Sequence, residues 1–337
     1  MLRKILIIIV IIGIIGAMLA MLAWRELQDF EARPFSLEGE ATLWLAPGSS
    51  YPAMVRELSR LGLTSNDWRW QWLGRLRNPM LKAGEYRLVS GDNPASLFEQ
   101  MRYGGVVNHR LTVIEGWTTE QLRKELANDS RLQQQTAGWS DAQLMQQLGC
   151  SECFSEGRFL PETYFFVRGD SDFDVLQRAY DSMQQVLNQA WQQRDPELPI
   201  DHADELLVLA SLIEMETTDP RELTEVAGVF KRRLQTGMRL QTDPTVVYGI
   251  ESRQDEPFDG RIRRVHLQTD HPWNTYTRRG LPPTPIGLPG LASIQAAARP
   301  AEGDTLYFVA KGDGTHQFSR TLAEHNRAVD RYIRGRN

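Results

Sequence analysis

Two glutamates, Glu214 and Glu216, interrupt an otherwise apolar stretch that runs from Glu205 to Thr217. The residues around them are mostly leucine, isoleucine, valine and methionine, and this pattern predicts a helix that is buried on most of its faces. Because residues two apart on a helix are separated by about 200° of rotation, the two carboxyls cannot both face one cleft. A carboxyl among apolar groups keeps its proton to a higher pH than one in water, so it is a candidate general acid.

Helix phase distinguishes the two carboxyls. At about 100° per residue, Glu216 projects between Leu209 and Leu212, near the middle of the apolar arc. Glu214 projects toward Ser211 instead. The phase therefore predicts that burial raises the pKa of Glu216, which makes it the candidate catalytic carboxyl.

The end of this helix favours the same residue. Asp219-Pro220 is typical of a cap followed by the first residue of a new helix, and Glu222 completes a capping box, so the first helix must end near Thr217 or Thr218. The C-terminal end of a helix carries partial negative charge, which disfavours another anion at Glu216. One structural alternative stays open, an ion pair between Glu216 and a basic residue such as Arg232, Arg233 or Arg239.

A second polar segment lies shortly downstream. Gln241 and Thr242 precede Asp243-Pro244, which repeats the cap-plus-proline signature. We therefore predict that Asp243 caps a helix rather than acting as a second catalytic group. Gln241 and Thr242 are candidates for contact with a ligand.

A loop rich in proline and glycine extends from Trp273 to Gly290. Long loops with aromatic and amide side chains are typical of binding sites, so Asn274 and Tyr276 are candidates for ligand contact, with fixation of the loop as the alternative. The six histidines show no close ligand spacing, and the chain has no phosphate-binding loop and no nucleophile elbow. We therefore predict no metal and no cofactor.

The N-terminus predicts a membrane anchor. Arg3 and Lys4 precede a run without charge from Ile5 to Trp24, which at about 1.5 Å per residue spans a bilayer core of about 30 Å. The alternative is a cleaved signal peptide, but its apolar region is usually shorter, at roughly 7–15 residues. The positive-inside rule keeps Arg3 and Lys4 in the cytoplasm and places the remainder of the chain outside.

Composition sets limits on the rest of the chain. Hydrophobic residues make up 41% of 337 residues, which excludes global disorder and allows about two domains. The net charge is −5 without a long basic block, which argues against nucleic-acid binding. Cys150 and Cys153, the only cysteines, are predicted to form a local disulfide or to be surface thiols, since neither a redox nor a zinc context surrounds them.

The periodicity predicts an α+β fold in which a small mixed module, residues 40–117, precedes a helix-rich part, residues 118–337. In the small module we predict strands at Ala41–Leu45, Gly84–Val89 and His109–Ile114, and helices at Tyr51–Leu61, from Ser65 or Asn66, and at Pro94–Tyr103. Near the C-terminus we predict a hairpin of Leu306–Ala310 with His316–Ser319, then a capping box at Thr321–Glu324.

Several of these segments carry a resemblance to a known family. The C-terminal part, about residues 205–334, resembles the YceG-like family, the endolytic murein transglycosylases. The motifs that carry it are Leu209–Thr217, Gly237–Gly249, Asn274–Thr277 with Gly280–Pro283, and Leu306–Ala310 followed by His325-Asn326. Lys82–Arg87 looks like part of that family's LysM-like module. The chain departs from the pattern at Met215, where lysine is common, and at Trp273, where tyrosine is common.

The resemblance implies a division of the chain and a set of roles. It implies a cytoplasmic tail (1–4), a transmembrane helix (5–24), a linker (25–39), a LysM-like module (40–117) and a catalytic domain (118–337). Glu216 matches the family's catalytic glutamate, in agreement with helix phase. Substrate contact is expected of Glu214, Gln241, Thr242, Asn274 and Tyr276.

The implied reaction cuts the β-1,4 bond between N-acetylmuramic acid and N-acetylglucosamine within nascent peptidoglycan strands and leaves 1,6-anhydro ends. It implies a single-pass protein of the bacterial inner membrane with a periplasmic catalytic domain, which terminates strand elongation and has cell-wall synthases (penicillin-binding proteins) as candidate partners. Two alternatives stay open: a muramidase-type hydrolase that pairs Glu216 with Asp243, and a non-catalytic peptidoglycan-binding scaffold.

Overall fold

The computed structural model describes residues 2–252, 258 and 260–336. The chain divides into two compact units, one of Met1–His109 with Phe165–Asp170 and one of Arg110–Tyr164 with Ser171–Asn337. Both contain helices and short two-stranded antiparallel pairs, so the prediction of a mixed α+β fold is confirmed.

The chain starts with one long helix, α1, Leu2–Ala32. It is apolar enough to cross a membrane, with a mean hydropathy of 3.2 in its most apolar window, and the side chains there lie on the outside of the protein. The helix continues past Trp24 through residues that the sequence suggested as a linker, because Leu27 and Phe30 pack into the core of the first unit.

The first unit follows α1 with the order strand, helix, helix, strand, helix. Its elements are β1 Glu40–Leu45, α2 Tyr51–Arg60, α3 Trp68–Arg77, β2 Gly84–Val89 and α4 Pro94–Tyr103. The strands β1 and β2 pair antiparallel, with Glu40 opposite Val89 and Leu45 opposite Gly84. Helix α3 begins two or three residues later than predicted, because the Asp67 side chain accepts a hydrogen bond from the backbone N–H of Arg69 and caps it there.

The second unit is built mainly of helices. Strand β3 Asn108–Thr112 pairs with β4 Thr163–Val167, and the division between the units falls within both strands. Helices α5 Thr119–Asn128 and α6 Asp141–Gln147 lie between these strands in the sequence. The remaining elements are α7 Asp172–Gln192, α8 Ala203–Glu216, α9 Leu223–Gln235, α10 Asp243–Glu251, α11 Arg264–Gln268, α12 Leu291–Ala298, β5 Tyr307–Ala310, β6 His316–Ser319, α13 Leu322–Tyr332 and a 3₁₀ turn, Arg334–Arg336.

Helix α8 lies at the centre of this unit and packs against α7, α9, α10 and α12. Every residue from Leu206 to Ile213 is buried, which explains why the sequence is apolar around most of the helix. The last turn, from Glu214 to Glu216, is again only partly buried or exposed. The helix therefore carries Glu216 out of the core at its C-terminal end.

The turn after α8 corrects one prediction. Thr217 is the C-cap, as expected, but the next helix, α9, begins at Leu223 and not at Asp219-Pro220. Asp219 instead accepts hydrogen bonds from the backbone and side chain of Arg221. The carboxylate of Glu222 accepts from the backbone N–H of His316 at 2.9 Å, so it is held by β6 and makes no capping box.

Two other local predictions are confirmed, and the structure decides one alternative that the sequence left open. Strands β5 and β6 form the C-terminal hairpin, and Thr321 and Glu324 make the reciprocal hydrogen bonds of a capping box at the start of α13. Cys150 and Cys153 are joined in a disulfide.

Candidate active site

Glu216 is the last residue of α8 and remains partly accessible to solvent. Protein atoms nevertheless surround most of its carboxyl, and this burial raises its pKa to about 7. The negative charge of Asp243 also raises the pKa, whereas the Thr242 hydroxyl and the positive charge of Arg233 lower it. A carboxyl with this pKa is protonated in a substantial fraction of molecules near neutral pH, as a general acid requires.

Arg233, on α9, is a buried cation near this carboxyl. Its guanidinium donates to the carbonyl oxygens of Leu306 at 2.7 Å and Leu240 at 2.6 Å. Within the described residues it makes no ion pair with Glu216, and neither do the two other arginines that the sequence offered, Arg232 and Arg239. The structure therefore does not support the alternative in which Glu216 forms an ion pair with one of these arginines.

Asp243 and Tyr276 meet beside Glu216. The Tyr276 hydroxyl donates a hydrogen bond of 2.5 Å to Oδ1 of Asp243. The sequence predicted Asp243 as a helix cap, and this is wrong: Asp243 is the first residue of α10, Thr242 holds the cap position, and Thr242 makes no side-chain cap bond either. The carboxylate of Asp243 instead turns to the tyrosine.

Hydrogen bonds among threonines hold the two polar segments of the site together. The backbone N–H of Thr242 donates to Oγ1 of Thr275 at 3.0 Å, and the hydroxyls of Thr245 and Thr275 lie 2.9 Å apart. Gln241 has a φ of 51°, in the left-handed region that few residues other than glycine adopt. This backbone turn leaves the Gln241 side chain exposed and the Thr242 side chain buried.

Asn274 lies in the loop that the sequence selected, but it is fully buried. Its amide nitrogen donates to the carbonyl oxygen of Thr269 at 2.6 Å, and its oxygen accepts from the backbone N–H of Tyr276 at 2.8 Å. These bonds occupy the amide within its own loop. Asn274 thereby sets the position of the Tyr276 backbone.

Glu214 faces a different environment from Glu216, as helix phase predicted. Its carboxylate accepts a hydrogen bond of 2.9 Å from the backbone N–H of Gly290, the cap residue of α12. Burial raises the pKa of Glu214. The structure therefore brings Thr242, Asp243 and Tyr276 to Glu216, and places Glu214 at the start of another helix.

Comparison with known proteins places the chain in a family. The model of the YceG-like family matches residues 43–331. The chain belongs to the YceG-like family. It is 29% identical to the endolytic murein transglycosylase of Bacillus subtilis (strain 168) over 86% of the chain and 84% of that protein. It is 24% identical to the endolytic murein transglycosylase of Streptococcus pneumoniae serotype 2 (strain D39), over 87% of the chain and 58% of that protein.

A solved structure shows the same fold. The crystal structure of a YceG-like protein of Listeria monocytogenes superimposes with a TM-score of 0.54 at 26% identity. The match covers 86% of this chain and 99% of that one.

Sequence analysis assigned no role to one group of residues near Glu216 in the present chain. The ring of Tyr307, on β5, stacks on that of His325, on α13, with centroids 5.3 Å apart, and the Arg233 guanidinium lies 5.3 Å from the Tyr307 ring. Burial and the charge of Arg233 lower the pKa of His325. Tyr307 and His325 lie in segments that carried the family resemblance. Their spacing in the sequence does not predict the contact, because it forms only when the hairpin packs on α13.

Proposed function

We propose that the chain is a peptidoglycan transglycosylase, a lyase in which Glu216 is the catalytic acid. The observation that carries this proposal is the Glu216 carboxyl at the partly accessible end of α8, whose pKa burial raises to about 7. The names of the B. subtilis and S. pneumoniae relatives support the substrate class and the reaction type. A single carboxyl of this kind can serve first as an acid and then as a base.

The reaction we propose is internal cleavage of nascent glycan strands at the bond between N-acetylmuramic acid and N-acetylglucosamine. Glu216 donates its proton to the glycosidic oxygen as the bond to C1 of the muramic residue breaks. The C6 hydroxyl of the same residue forms the new bond to C1, and its proton passes to the Glu216 carboxylate. The products are a 1,6-anhydro end and a new N-acetylglucosamine end, and no water is consumed. Such cuts would end strand elongation.

We assign the neighbouring residues two kinds of role. Tyr276 and Gln241 contact the sugar, because Tyr276 is only partly buried and the Gln241 side chain is exposed. Thr242, which the sequence also offered for substrate contact, is buried, and we assign its hydroxyl to orienting the Glu216 carboxyl. Asn274 and Glu214 are positioning residues, since their polar atoms already hold the Tyr276 backbone and the start of α12.

We propose that α1 anchors the protein in the inner membrane, with Arg3 and Lys4 in the cytoplasm and the catalytic residues in the periplasm. The apolar length of α1 supports the anchor, and the charges of Arg3 and Lys4 support the orientation. We further propose that residues 40–117 form a LysM-like module that precedes the catalytic part, residues 118–337. The strand–helix–helix–strand order of the first unit supports this module. Cell-wall synthases remain the proposed partners.

Substitution of Glu216 by glutamine tests the chemistry. The full chain, reconstituted in vesicles, is incubated with uncrosslinked glycan strands, and the new ends are identified by mass spectrometry. We expect Glu216→Gln to lower the rate of cleavage by roughly 10²–10⁴-fold, because the amide cannot donate a proton at the glycosidic oxygen. Glu214→Gln is the matched control and should retain most of the activity, since its side-chain oxygen can still accept from Gly290.

The identity of the product ends decides between the candidate reactions. Anhydro ends, lighter by one water than reducing ends, support the transglycosylase. Reducing ends would show a hydrolase instead. If Glu216→Gln cuts strands at the full rate, Glu216 is not the acid. If the original chain cuts no strands and Glu216→Gln retains full function in cells, the scaffold alternative gains support.

A further inference from the structure

Helix α3 exposes a row of large apolar side chains. Trp68, Trp72 and Leu76 lie four residues apart, so they form one stripe along the helix, and 46%, 50% and 51% of their surfaces are exposed. The inner face of the helix is apolar as well, because Trp70 and Leu73 are buried in the core of the first unit. Two neighbouring exposed tryptophans are unusual on a surface that meets only water.

Ion pairs hold α3 against the C-terminal end of α1. Arg69 lies 3.0 Å from Glu26, and Arg77 lies 2.6 Å from Glu31. Between these pairs, the Phe30 ring packs edge-to-face on Trp70 with centroids 5.3 Å apart. The position of α3 along α1 is therefore fixed.

This position determines the height of the stripe above a membrane. With the apolar run ending at Trp24, Glu26 lies about 3 Å and Glu31 about 10 Å beyond the hydrocarbon core, at about 1.5 Å per residue. The headgroup layer on each side of a bilayer is about 5–7 Å thick. Leu76 and Trp24 line the same small cavity, of about 110 Å³, between α1 and α3. The exposed stripe thus begins beside the membrane end of α1.

We propose that the Trp68–Trp72–Leu76 stripe docks on the surface of the bilayer, with the tryptophan rings in the headgroup layer. This inference rests on α1 crossing the membrane, as proposed above. Tryptophan favours this layer because its ring is apolar and its N–H is polar. The charge of α3 also suits a surface of anionic lipid, because the helix contains three arginines and no acidic residue. The guanidinium of Arg75 lies 5.5 Å from the Trp72 ring and makes no ion pair with a described residue.

A sugar ligand is a poorer match for this stripe. The first unit has a groove of about 610 Å³ lined by Tyr51, Asn66 and Trp70, and neither Trp68 nor Trp72 contributes to it. The stripe lies on the convex surface of a helix, where a glycan would contact one side only. Rings that project from a convex surface can instead insert between lipid headgroups.

Fluorescence quenching by brominated lipid tests the proposal. The full chain is reconstituted in vesicles of brominated phosphatidylcholine and phosphatidylglycerol, and quenched intensity is compared among variants. Trp68→Phe with Trp72→Phe removes two of the three exposed tryptophans at the membrane, so we expect the quenched intensity to fall to about a third. Trp139→Phe with Trp191→Phe, two partly buried rings in the second unit, should leave it unchanged.

The Trp24→Phe variant shows whether a negative result concerns the stripe alone or the membrane anchor as well. If Trp24→Phe lowers the quenched intensity but the Trp68→Phe, Trp72→Phe pair does not, α1 is in the membrane and the stripe is not. That result overturns the proposal and indicates a protein partner for the stripe. If no variant changes the quenching, the anchor itself is wrong, and the inference falls with it.

Discussion

Asp243 accepts a hydrogen bond of 2.5 Å from the Tyr276 hydroxyl, and its negative charge acts on the neighbouring carboxyl of Glu216. The contact joins the start of α10 to the loop that follows α11. One carboxylate thus orients the tyrosine and helps to keep a proton on the candidate acid. Burial and the hydrogen bond to Asp243 together raise the pKa of Tyr276, so the phenol remains a donor.

The first prediction concerns the pH dependence of cleavage. Glu216 must be protonated to act as an acid, and its pKa is about 7. We therefore expect kcat/KM to be high below pH 7 and to fall about tenfold per pH unit well above it. Initial rates between pH 5 and 9 would measure this. A rate that rises through pH 7 would contradict the acid role.

The second prediction concerns Asp243→Asn. Because the charge of Asp243 raises the pKa of Glu216, its removal should move the alkaline fall of the rate to lower pH. The rate at pH 8 should then drop more than the rate at pH 5. Asp313→Asn, an exposed aspartate of the C-terminal hairpin turn, is the control and should leave the profile in place. An equal loss at every pH would show that Asp243 acts only by holding Tyr276.

The third prediction is a gain in stability from Glu216→Gln. The pKa of this carboxyl is about 7 in the folded protein against 4.5 for the free side chain. A raised pKa stabilises the fold fully below pH 4.5 and loses that contribution as the pH rises through 7. Glutamine does not titrate, so at pH 8 the variant should be more stable than the original chain by about 2–3 kcal/mol.

Denaturant unfolding of the full chain in detergent, at pH 5 and pH 8, measures this difference. It should be small at pH 5 and large at pH 8. Glu99→Gln, an exposed residue, should show no change at either pH. A Glu216→Gln variant that loses stability at pH 8 would mean that its carboxylate is well solvated or paired.

The fourth prediction concerns Asn274→Ala. The substitution removes the donor to the Thr269 carbonyl and the acceptor for the Tyr276 N–H within a buried loop. We expect a loss of about 2–3 kcal/mol in the free energy of unfolding, because the buried groups lose their partners. Activity should fall too, as Tyr276 loses its position. Asn188→Ala, an exposed asparagine of α7, should change neither. A stable but inactive Asn274→Ala would instead indicate direct contact with the sugar.

The sequence alone predicted those features that depend on a single helix or hairpin. The separation of Glu216 from Glu214 follows from helix rotation alone, and the structure gives the two carboxyls different neighbours. The end of α8 at Thr217, the C-terminal hairpin and the capping box at Thr321 also depend on residues close in the chain. The apolar length of α1 is likewise a property of composition.

Contacts between distant segments were decided only by the tertiary structure. Asp243 looked like a cap because a cap needs only its own helix, whereas its actual partner, Tyr276, is far along the chain. Asn274 looked suited to a ligand until the fold buried it among the carbonyls of its own loop. The same holds for α3. Its outer tryptophans can be proposed to contact the bilayer only because ion pairs fix that helix beside α1. Sequence periodicity determines which face of an element is apolar, but which other element meets that face depends on packing across the whole chain.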